Sequence, residues 1–171
     1  IFDSSLKEIL ADERTFNQIQ AVSVSLAAPD ELLEKLAEKK VLVCIDTANA
    51  SNVHVLEMCE KLKSKFNLKV MVGNIAGGAT LIDIVNAGAD AIRVGIGGGS
   101  MCTTSVQTGI GIGQVSSILD VYFTRKLHNL KIDIIADGGI KSPGDVAKAI
   151  ALGADTVMLG RMLAGTKETP G

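Results

Sequence analysis

The sequence predicts an α/β fold in which parallel strands alternate with helices to form part of a (β/α)8 barrel. Six short apolar runs, rich in Val and Ile, each come before a helix-like stretch. Polar or glycine residues follow nearly every run. Aromatic residues make up only 3% of the 171 residues, so the core has to be aliphatic, as in parallel sheets covered by helices.

The six apolar runs are the predicted strands. Each is apolar on both faces, as expected of a buried parallel strand. Their uninterrupted alternation with helices requires right-handed crossovers and therefore predicts a parallel sheet. The predicted strands are Ala21–Leu26, Val41–Ile45, Lys69–Val72, Ala91–Val94, Ile132–Ala136 and Thr156–Leu159.

The stretches between the runs are predicted to be helices, because their apolar residues recur at helical spacing. Ser142 is placed to cap the last helix and Gly153 to end it. Residues 87–90 and 152–155 repeat one phrase, Ala/Leu-Gly-Ala-Asp, which indicates two similar helix-to-strand turns. The first predicted helix begins at Pro29. The other predicted helices cover Asn52–Ser64, Thr80–Ala87, Gln114–Leu127 and Pro143–Leu152.

A barrel is favoured over an open doubly wound sheet because polar and glycine residues follow the strands all along the chain. An open sheet would concentrate such residues at one crevice, whereas a barrel gathers all its strand ends on one catalytic face. Six units do not close a barrel of eight. We therefore expect residues 1–171 to form a single partial barrel domain that is short of about two units, within a longer protein.

Composition argues against several classes of protein. The formal net charge is −2 with acids and bases interspersed, so no nucleic-acid partner is expected. No apolar run reaches the roughly 20 residues of a membrane span, and no signal peptide is recognised. Three cysteines without CxxC spacing favour a reduced, cytoplasmic setting over disulfides or a zinc site. Cys44 and Cys59 are expected in the core.

The most informative segment is the loop after the fourth strand, residues 93–104, which reads RVGIGGGSMCTT. Its glycines let the chain turn sharply and bring backbone groups to a ligand. On the glycines alone, a dinucleotide-binding loop or a plain turn is an equally good interpretation. Cys102 favours a catalytic role, because a thiol delivered to the catalytic face of a barrel is a candidate nucleophile.

Two further strand ends carry candidate ligands for a nucleotide. Asp137 suits the paired hydroxyls of a ribose, since a carboxylate accepts two bonds, and Gly138 and Gly139 leave backbone N–H groups for a phosphate. Gly160 and Arg161 follow the sixth strand, in a region where barrels commonly bind phosphate. Two alternatives stay open: an aspartate there also serves as a helix cap or in a loop salt bridge, and an arginine there obstructs the phosphate site rather than contacting it.

Several of these strand-end motifs, in this order, are similar to those of the IMP dehydrogenase/GMP reductase family of TIM-barrel enzymes. The active-site signature of that family is GxGxGS, a hydrophobic residue and Cys-x-Thr. The similarity covers roughly residues 21–171 of the chain. The other matching segments are Ile45–Ala48, Gly73–Asn74, Ala136–Ile140 and Met158–Gly165.

The resemblance implies an NAD(P)-dependent oxidoreductase that acts at C2 of a purine nucleoside monophosphate. Cys102 would attack C2 and form a thioimidate, which divides a hard displacement into easier steps. A dehydrogenase would convert IMP, NAD and water into XMP and NADH, a step of GMP biosynthesis; a reductase would convert GMP and NADPH into IMP, ammonia and NADP. Thr104 would relay a proton or hold water, the alternative being simple loop solvation.

The substrate site implied by the resemblance draws on three strand ends, because a nucleotide needs ligands for both sugar and phosphate. Asp137 would bind the ribose, and Ser100 would reach the phosphate. Barrels of this family assemble as homotetramers, which the apolar helix faces of this chain allow. The implied substrate residues are Ser100, Asp137, Gly138, Gly139, Gly160 and Arg161.

The implied cofactor site, for NAD or NADP, lies at the ends of the second, third and fourth strands. Arg93 also suits an ion pair with a neighbouring strand-end acid. Backbone carbonyls would bind potassium at Gly97, Gly99 and Cys102, since hard oxygen ligands suit that cation. The implied cofactor residues are Asp46, Thr47, Ala48, Asn74, Arg93, Gly95, Ile96 and Gly97.

The chain departs from the family pattern at several positions. Ser105 stands where the family has Arg or a similar polar residue, Gly113 replaces a proline, and Arg161 replaces a small residue. The flap arginine of the dehydrogenase and the distal glutamate of the reductase fall beyond Gly171, and no CBS-type regulatory pair is visible. These departures keep open a binding or regulatory relative that holds purine monophosphates without turnover.

Motifs divide between the two enzymes of the family. Residues 136–140 and 168–171 favour the dehydrogenase, whereas residues 48–49, 108–111 and 143–149 favour the reductase. We expect the dehydrogenase. A different phosphate-binding barrel, such as an aldolase or a flavin oxidoreductase, is a weaker alternative, since no strand ends in a lysine suited to Schiff-base chemistry except for Lys141, which lies just past a strand.

Overall fold

The computed structural model describes residues 17–99, 102–103, 106–107, 109 and 111–169. Six parallel strands form one sheet in the order β1-β2-β3-β4-β5-β6. Their sequential order, without the reversal of a doubly wound sheet, confirms the predicted arc of a barrel. The strands are β1 Ala21–Val24, β2 Leu42–Asp46, β3 Lys69–Ile75, β4 Ala91–Val94, β5 Asp133–Asp137 and β6 Thr156–Met158.

Helices connect the strands as predicted, with ends that agree or differ by one residue. The Asn52 side chain accepts the His54 N–H at 2.9 Å and so caps α2. Ser142 caps α5, accepting the Asp145 N–H at 3.3 Å, and Gly153 follows with φ +108°. No helix in the described residues is long and apolar enough to cross a membrane. The helices are α1 Asp30–Glu38, α2 Val53–Ser64, α3 Leu81–Asn86 after a 3-10 turn at Gly78–Thr80, α4 Gln114–Leu127 and α5 Pro143–Ala151.

Each strand turns one face to the helices and the other to the barrel interior. The helix-facing side forms the main core, which is almost wholly aliphatic as predicted; Cys59 belongs to it. The interior side forms a smaller cluster, in which Cys44, Met71 and Ala91 are buried. Leu42, Ile135 and Met158 are partly buried against that cluster.

Two strands differ from the prediction by more than one residue. β1 ends at Val24 because the chain turns there, leaving Leu26 39% exposed. β3 runs on to Ile75, past the predicted end at Val72. Residue Thr47 extends it: the Thr47 N–H donates to the Gly73 carbonyl at 2.8 Å, and the Thr47 carbonyl accepts the Asn74 N–H at 3.0 Å. Such long-range bonds are invisible in a local sequence pattern.

The first copy of the repeated turn phrase closes β3 against β4. Asp90 precedes β4, and its Oδ2 accepts the Val70 N–H at 2.7 Å. The Asp90 N–H in turn donates to the Val70 carbonyl at 2.8 Å. Lys63 of α2 also donates to Asp90 Oδ2 at 2.8 Å. The carboxylate therefore adds one rung to the strand ladder and ties it to the preceding helix.

The second copy builds the same joint between β5 and β6. Asp155 Oδ2 accepts the Ile134 N–H at 2.7 Å, and the Asp155 N–H donates to the Ile134 carbonyl at 2.8 Å. Arg125 of α4 takes the place that Lys63 has in the first copy, and donates to Asp155 Oδ2. The repeat predicted from the sequence is thus a repeat of structure.

Candidate active site

A cavity of about 750 Å³ opens at the carboxyl ends of β4, β5 and β6. Its lining brings together most of the predicted substrate and nucleophile residues. The predicted residues Ser100 and Thr104 lie outside the described part of the chain. The predicted residues that line the cavity are Gly99, Cys102, Asp137, Gly138, Gly139, Gly160 and Arg161.

Cys102 reaches the cavity at the end of the glycine-rich loop. It is half-buried, and its N–H donates to the Gly99 carbonyl at 3.2 Å. Cys44, Cys59 and Cys102 are all thiols rather than disulfides. Burial raises the pKa of the Cys59 thiol to about 12 and also raises the pKa of Cys44, so neither is a nucleophile at neutral pH. Cys102 is the cysteine that lines the cavity.

The walls of the cavity are two loops packed backbone against backbone. Gly138 has φ +96°, and a Cβ there would lie 3.0 Å from the Gly99 backbone nitrogen. Gly95 has φ +136°, and a Cβ there would lie 2.1 Å from the Asp137 carbonyl oxygen. Sequence reasoning expected these glycines to approach a ligand. The structure shows that Gly95 and Gly138 bring the loops after β4 and β5 to each other.

Asp137 carries the polar centre of the site. Its Oδ2 accepts from Arg93 Nη2 at 2.7 Å, from Arg93 Nε at 3.2 Å and from Asn74 Nδ2 at 2.8 Å. Asn74 Nδ2 also donates to the Gly95 carbonyl at 2.7 Å. The Asp137 side chain is 20% exposed. One carboxylate oxygen is therefore held by three donors from two neighbouring strands.

Arg93 extends the same network to β2. Its Nη1 lies 3.1 Å from Asp46 Oδ1 and 3.4 Å from Cys44 Sγ. Burial acts to lower the pKa of Arg93, but its hydrogen bonds with Asp137 and Cys44 outweigh burial and raise the pKa above the ordinary value. The guanidinium is therefore a fixed cation, paired with the strand-end acids Asp46 and Asp137.

Gly73 makes room for this arginine. It pairs with Arg93 in the β3–β4 ladder and with Asp46 in the β2–β3 ladder. A Cβ on Gly73 would lie 2.6 Å from Arg93 Cβ, far inside contact distance. The Arg93 side chain can thus pass over β3 to reach Asp46, two strands away.

The predicted cofactor residues divide into two groups. Asp46, Thr47, Asn74 and Arg93 are joined by hydrogen bonds or ion pairs at the ends of β2, β3 and β4. Ala48 is exposed beside them. The other group, Gly95, Ile96 and Gly97, begins the loop that leads to Cys102. None of these eight residues is part of the cavity lining, so the cavity and the predicted cofactor side are adjacent but separate.

Two residues of the site were not singled out from the sequence. Gln114 opens α4, and its Nε2 donates to the Val94 carbonyl at 2.8 Å, beside Gly95. Lys141 lines the cavity near Arg161. A polar residue at the first position of a helix that follows a catalytic loop was the available sequence signal for Gln114. Lys141 was visible only as a lysine just past a strand.

Metal-binding side chains do not gather in this site. In the residues that the structure describes, no group of His, Cys, Asp or Glu could hold a metal ion. The predicted potassium site uses a different donor set, the backbone carbonyls of Gly97, Gly99 and Cys102. Gly97 has φ +86°, and the Gly99 carbonyl already accepts the Cys102 N–H.

The chain is similar to known proteins over most of its length. Residues 9–171 match the family model described as the IMP dehydrogenase / GMP reductase domain. The chain is 42% identical to inosine-5'-monophosphate dehydrogenase from Borreliella burgdorferi, covering 88% of this chain and 37% of that protein. It is 42% identical to GMP reductase from Vibrio atlanticus, covering 94% of this chain and 47% of that protein.

A solved structure agrees with these similarities. It is a cysteine-to-alanine variant of GMP reductase from Trypanosoma brucei in complex with guanosine 5'-monophosphate. Its TM-score to this chain is 0.80 at 34% identity, covering 87% of this chain and 32% of that one. This chain therefore spans less than half of each of these three proteins.

Proposed function

Because the chain belongs to the IMP dehydrogenase/GMP reductase family, we propose that it provides the nucleophile and nucleotide site of an NAD(P)-dependent purine nucleotide oxidoreductase. The observation that carries the proposal is the cavity that holds Cys102, Asp137 and the glycines of two strand ends together. A nucleophile, a sugar ligand and phosphate donors are the parts that such a reaction needs.

In this proposal the cavity binds a purine nucleoside monophosphate. Asp137 accepts a ribose hydroxyl, while the backbone N–H groups of Gly138, Gly139 and Gly160 are available to the phosphate. Arg161 and Lys141 add positive charge beside the phosphate position. Their presence favours the interpretation of Arg161 as a phosphate contact over an obstruction. Ser100, which lies outside the described residues, would add a hydroxyl donor.

The proposed chemistry starts at Cys102. The Cys102 thiol would give up its proton as its sulfur bonds to C2 of IMP, and NAD, when bound, would supply the acceptor for the hydride displaced from C2. Water then adds to C2 of the thioimidate, the C–S bond breaks, and XMP and the thiol are released. Thr104, also outside the described residues, would relay a proton from that water.

The proposed residues toward the cofactor lie at the ends of β2 to β4. Asp46 fits a hydroxyl of a riboside, because its side chain is 46% exposed and only Oδ1 is paired with Arg93. Thr47, Ala48, Asn74 and residues 95–97 complete this side of the site. Potassium at the loop carbonyls and assembly as a homotetramer are proposed from the family resemblance, and a cytoplasmic location is proposed from the three cysteines without CxxC spacing.

IMP dehydrogenase is the reaction that we propose for the complete protein, on the strength of the motifs at residues 136–140 and 168–171 and of its dehydrogenase relatives. GMP reductase is the second candidate. It is favoured by the reductase relative, which matches 94% of this chain. It is also favoured by the reductase structure, whose bound nucleotide is GMP.

The proposal is tested by a paired assay of the complete protein: IMP with NAD, and GMP with NADPH, followed by absorbance of the reduced cofactor. A rise with IMP that disappears in Cys102→Ala supports the dehydrogenase, and a fall with GMP supports the reductase. Covalent trapping of Cys102 by a 6-halopurine nucleotide, measured by mass spectrometry, reports a reactive thiol. No change in absorbance in either assay, with IMP still bound, would contradict catalysis and favour a nucleotide-binding relative.

A further inference from the structure

The two oxygens of Asp137 are not equivalent. All the hydrogen bonds that the described residues give to this carboxylate end at Oδ2, where Arg93 and Asn74 supply three N–H groups. Oδ1 is then the oxygen that faces no protein donor in that part of the chain. Since Asp137 lines the cavity, Oδ1 is the acceptor available to a ligand.

Arg93 is itself held from its far side. Asp46 Oδ1 lies 3.1 Å from Nη1, and Cys44 Sγ accepts from the same nitrogen at 3.4 Å. The Arg93 side chain is only 13% exposed, and it passes over Gly73, which has no side chain to displace it. Most of the five donors of the guanidinium are thus engaged, and its plane is fixed.

We infer that Arg93 is a positioning residue that fixes the Asp137 carboxylate with Oδ1 free, and that it thereby sets the preference of the cavity for ribonucleotides over deoxyribonucleotides. The inference rests on the proposed function. Arg93 acts here through Asp137 and does not itself contact the substrate. Two N–H groups of one rigid guanidinium converge on Oδ2 and hold that oxygen in place, whereas an ammonium would donate from a single point.

The experiment compares how tightly the complete protein binds IMP, 2'-deoxy-IMP and 3'-deoxy-IMP, by titration calorimetry. The parent protein is expected to prefer IMP over the form lacking the recognised hydroxyl by roughly tenfold to a hundredfold, the usual effect of a hydrogen bond to a charged group. In Arg93→Met, we expect the affinity for IMP to fall to the affinity for the deoxy nucleotide that lacks the recognised hydroxyl. The affinity for the deoxy form changes little.

Arg93→Lys keeps the positive charge and the fold but loses the planar set of N–H donors of the guanidinium. We expect it to retain part of the preference for IMP, because an ammonium donates to one point rather than two. In an Asp137→Ala background, Arg93→Met should lower the preference no further, since the positioned group is already gone. Additive losses in this cycle would contradict an action through Asp137.

Arg125→Met is the matched control. Arg125 is another partly buried arginine, 17% exposed and paired with Asp155, but it lies at the opposite end of the sheet from the cavity. Its loss should lower the melting temperature without changing the ratio of IMP to deoxy-IMP affinity. The inference, but not the proposed function, would be overturned by either of two results. One is a ratio of IMP to deoxy-IMP affinity in Arg93→Lys that equals the ratio of the parent protein. The other is an equal loss of affinity for all three nucleotides. A parent protein that binds none of them would overturn the proposed function, and the inference with it.

Discussion

Gly95 occupies a position that no other residue can take without strain. Its φ is +136°, and an added Cβ would lie 2.1 Å from the Asp137 carbonyl oxygen and 2.4 Å from Gln114 Oε1. We predict that Gly95→Ala lowers the free energy of unfolding by about 2 kcal/mol or more, since it combines backbone strain with overpacking. Urea unfolding of the complete protein measures the change.

The control for that substitution is Gly165→Ala. A Cβ on Gly165 would meet nothing within 4 Å, so unfolding should change by no more than about 0.5 kcal/mol. Equal midpoints for Gly95→Ala and the parent protein would show that the two loops are free to move apart.

At this scale, the sequence predicted which residues follow the strands better than it predicted the partners of those residues. Cys102 and Asp137 were identified from their places after strands, and both line the cavity. The sequence left two interpretations of Arg93, cofactor contact or ion pair, and the structure pairs it with strand-end acids. Its bond to Asp137 spans 44 residues of sequence. Strand register decides that contact, and register is not readable from one strand at a time.

The start of α5 is a helix element with a pH-dependent cap. The Ser142 hydroxyl, the Lys141 N–H and the Lys148 ammonium all hold the pKa of Asp145 below its ordinary value, the hydroxyl most strongly. A lowered folded-state pKa stabilises the fold above the unfolded pKa of about 3.9, and the stabilisation is lost as pH falls through the folded value. We predict that Asp145→Asn lowers the urea midpoint at neutral pH, and that its difference from the parent disappears as the pH falls below the lowered folded-state pKa of Asp145.

Asp83→Asn is the control for the cap. Asp83 is an exposed carboxylate in the first turn of α3, so its removal tests the general effect of charge at a helix start. A pH-independent difference between Asp145→Asn and the parent would contradict the titration argument.

The two aspartate joints are elements of the sheet rather than of the site. Asp155→Ala leaves the Ile134 N–H without its acceptor, and Ile134 is fully buried. We predict a loss of about 1–3 kcal/mol in unfolding free energy, the cost of an unsatisfied buried donor. Asp155→Asn, which retains an acceptor oxygen but loses the ion pair with Arg125, should cost less. Equal losses in the two variants would show that the ion pair alone matters.

Elements were predictable where their determinants are local. Ser142 caps the start of α5 and Gly153 follows its end, as expected, because helix caps depend on a few adjacent residues. The end of β3 was predicted three residues early, since its last backbone bonds come from Thr47 and Gly95, at the ends of two other strands. The repeated phrase predicted similar turns, but the ladder role of Asp90 and Asp155 depends on strand pairing.

At the scale of the whole molecule, the barrel was predicted because polar and glycine residues follow the strands all along the chain. Its sequential strand order confirms that reasoning. Within the described residues, β1 and β6 each pair on one side only, so both present an open edge. The sequence predicted six units of a barrel. It gave no basis for which surfaces cover the two open edges, because that depends on residues beyond this sheet.

Open edges make a prediction for the 171-residue chain purified by itself. We expect it to self-associate with increasing concentration, since unpaired strand edges recruit other strands. Sedimentation velocity across a concentration series measures this. Thr156→Lys, at an exposed position of the β6 edge, should weaken the association, whereas Thr166→Lys, exposed but outside the sheet, should not. A monomer at all concentrations would mean that the edges are covered.

The placing of the two aspartate joints separates what keeps this barrel folded from what it can evolve to do. One joint is complete within residues 63–90 and the other within residues 125–155, and the loop bearing Cys102 lies between them. Insertions, deletions or exchanges in that loop leave both joints intact. During evolution, the loops at one end of the strands can therefore acquire new catalytic residues while the opposite end stays unchanged.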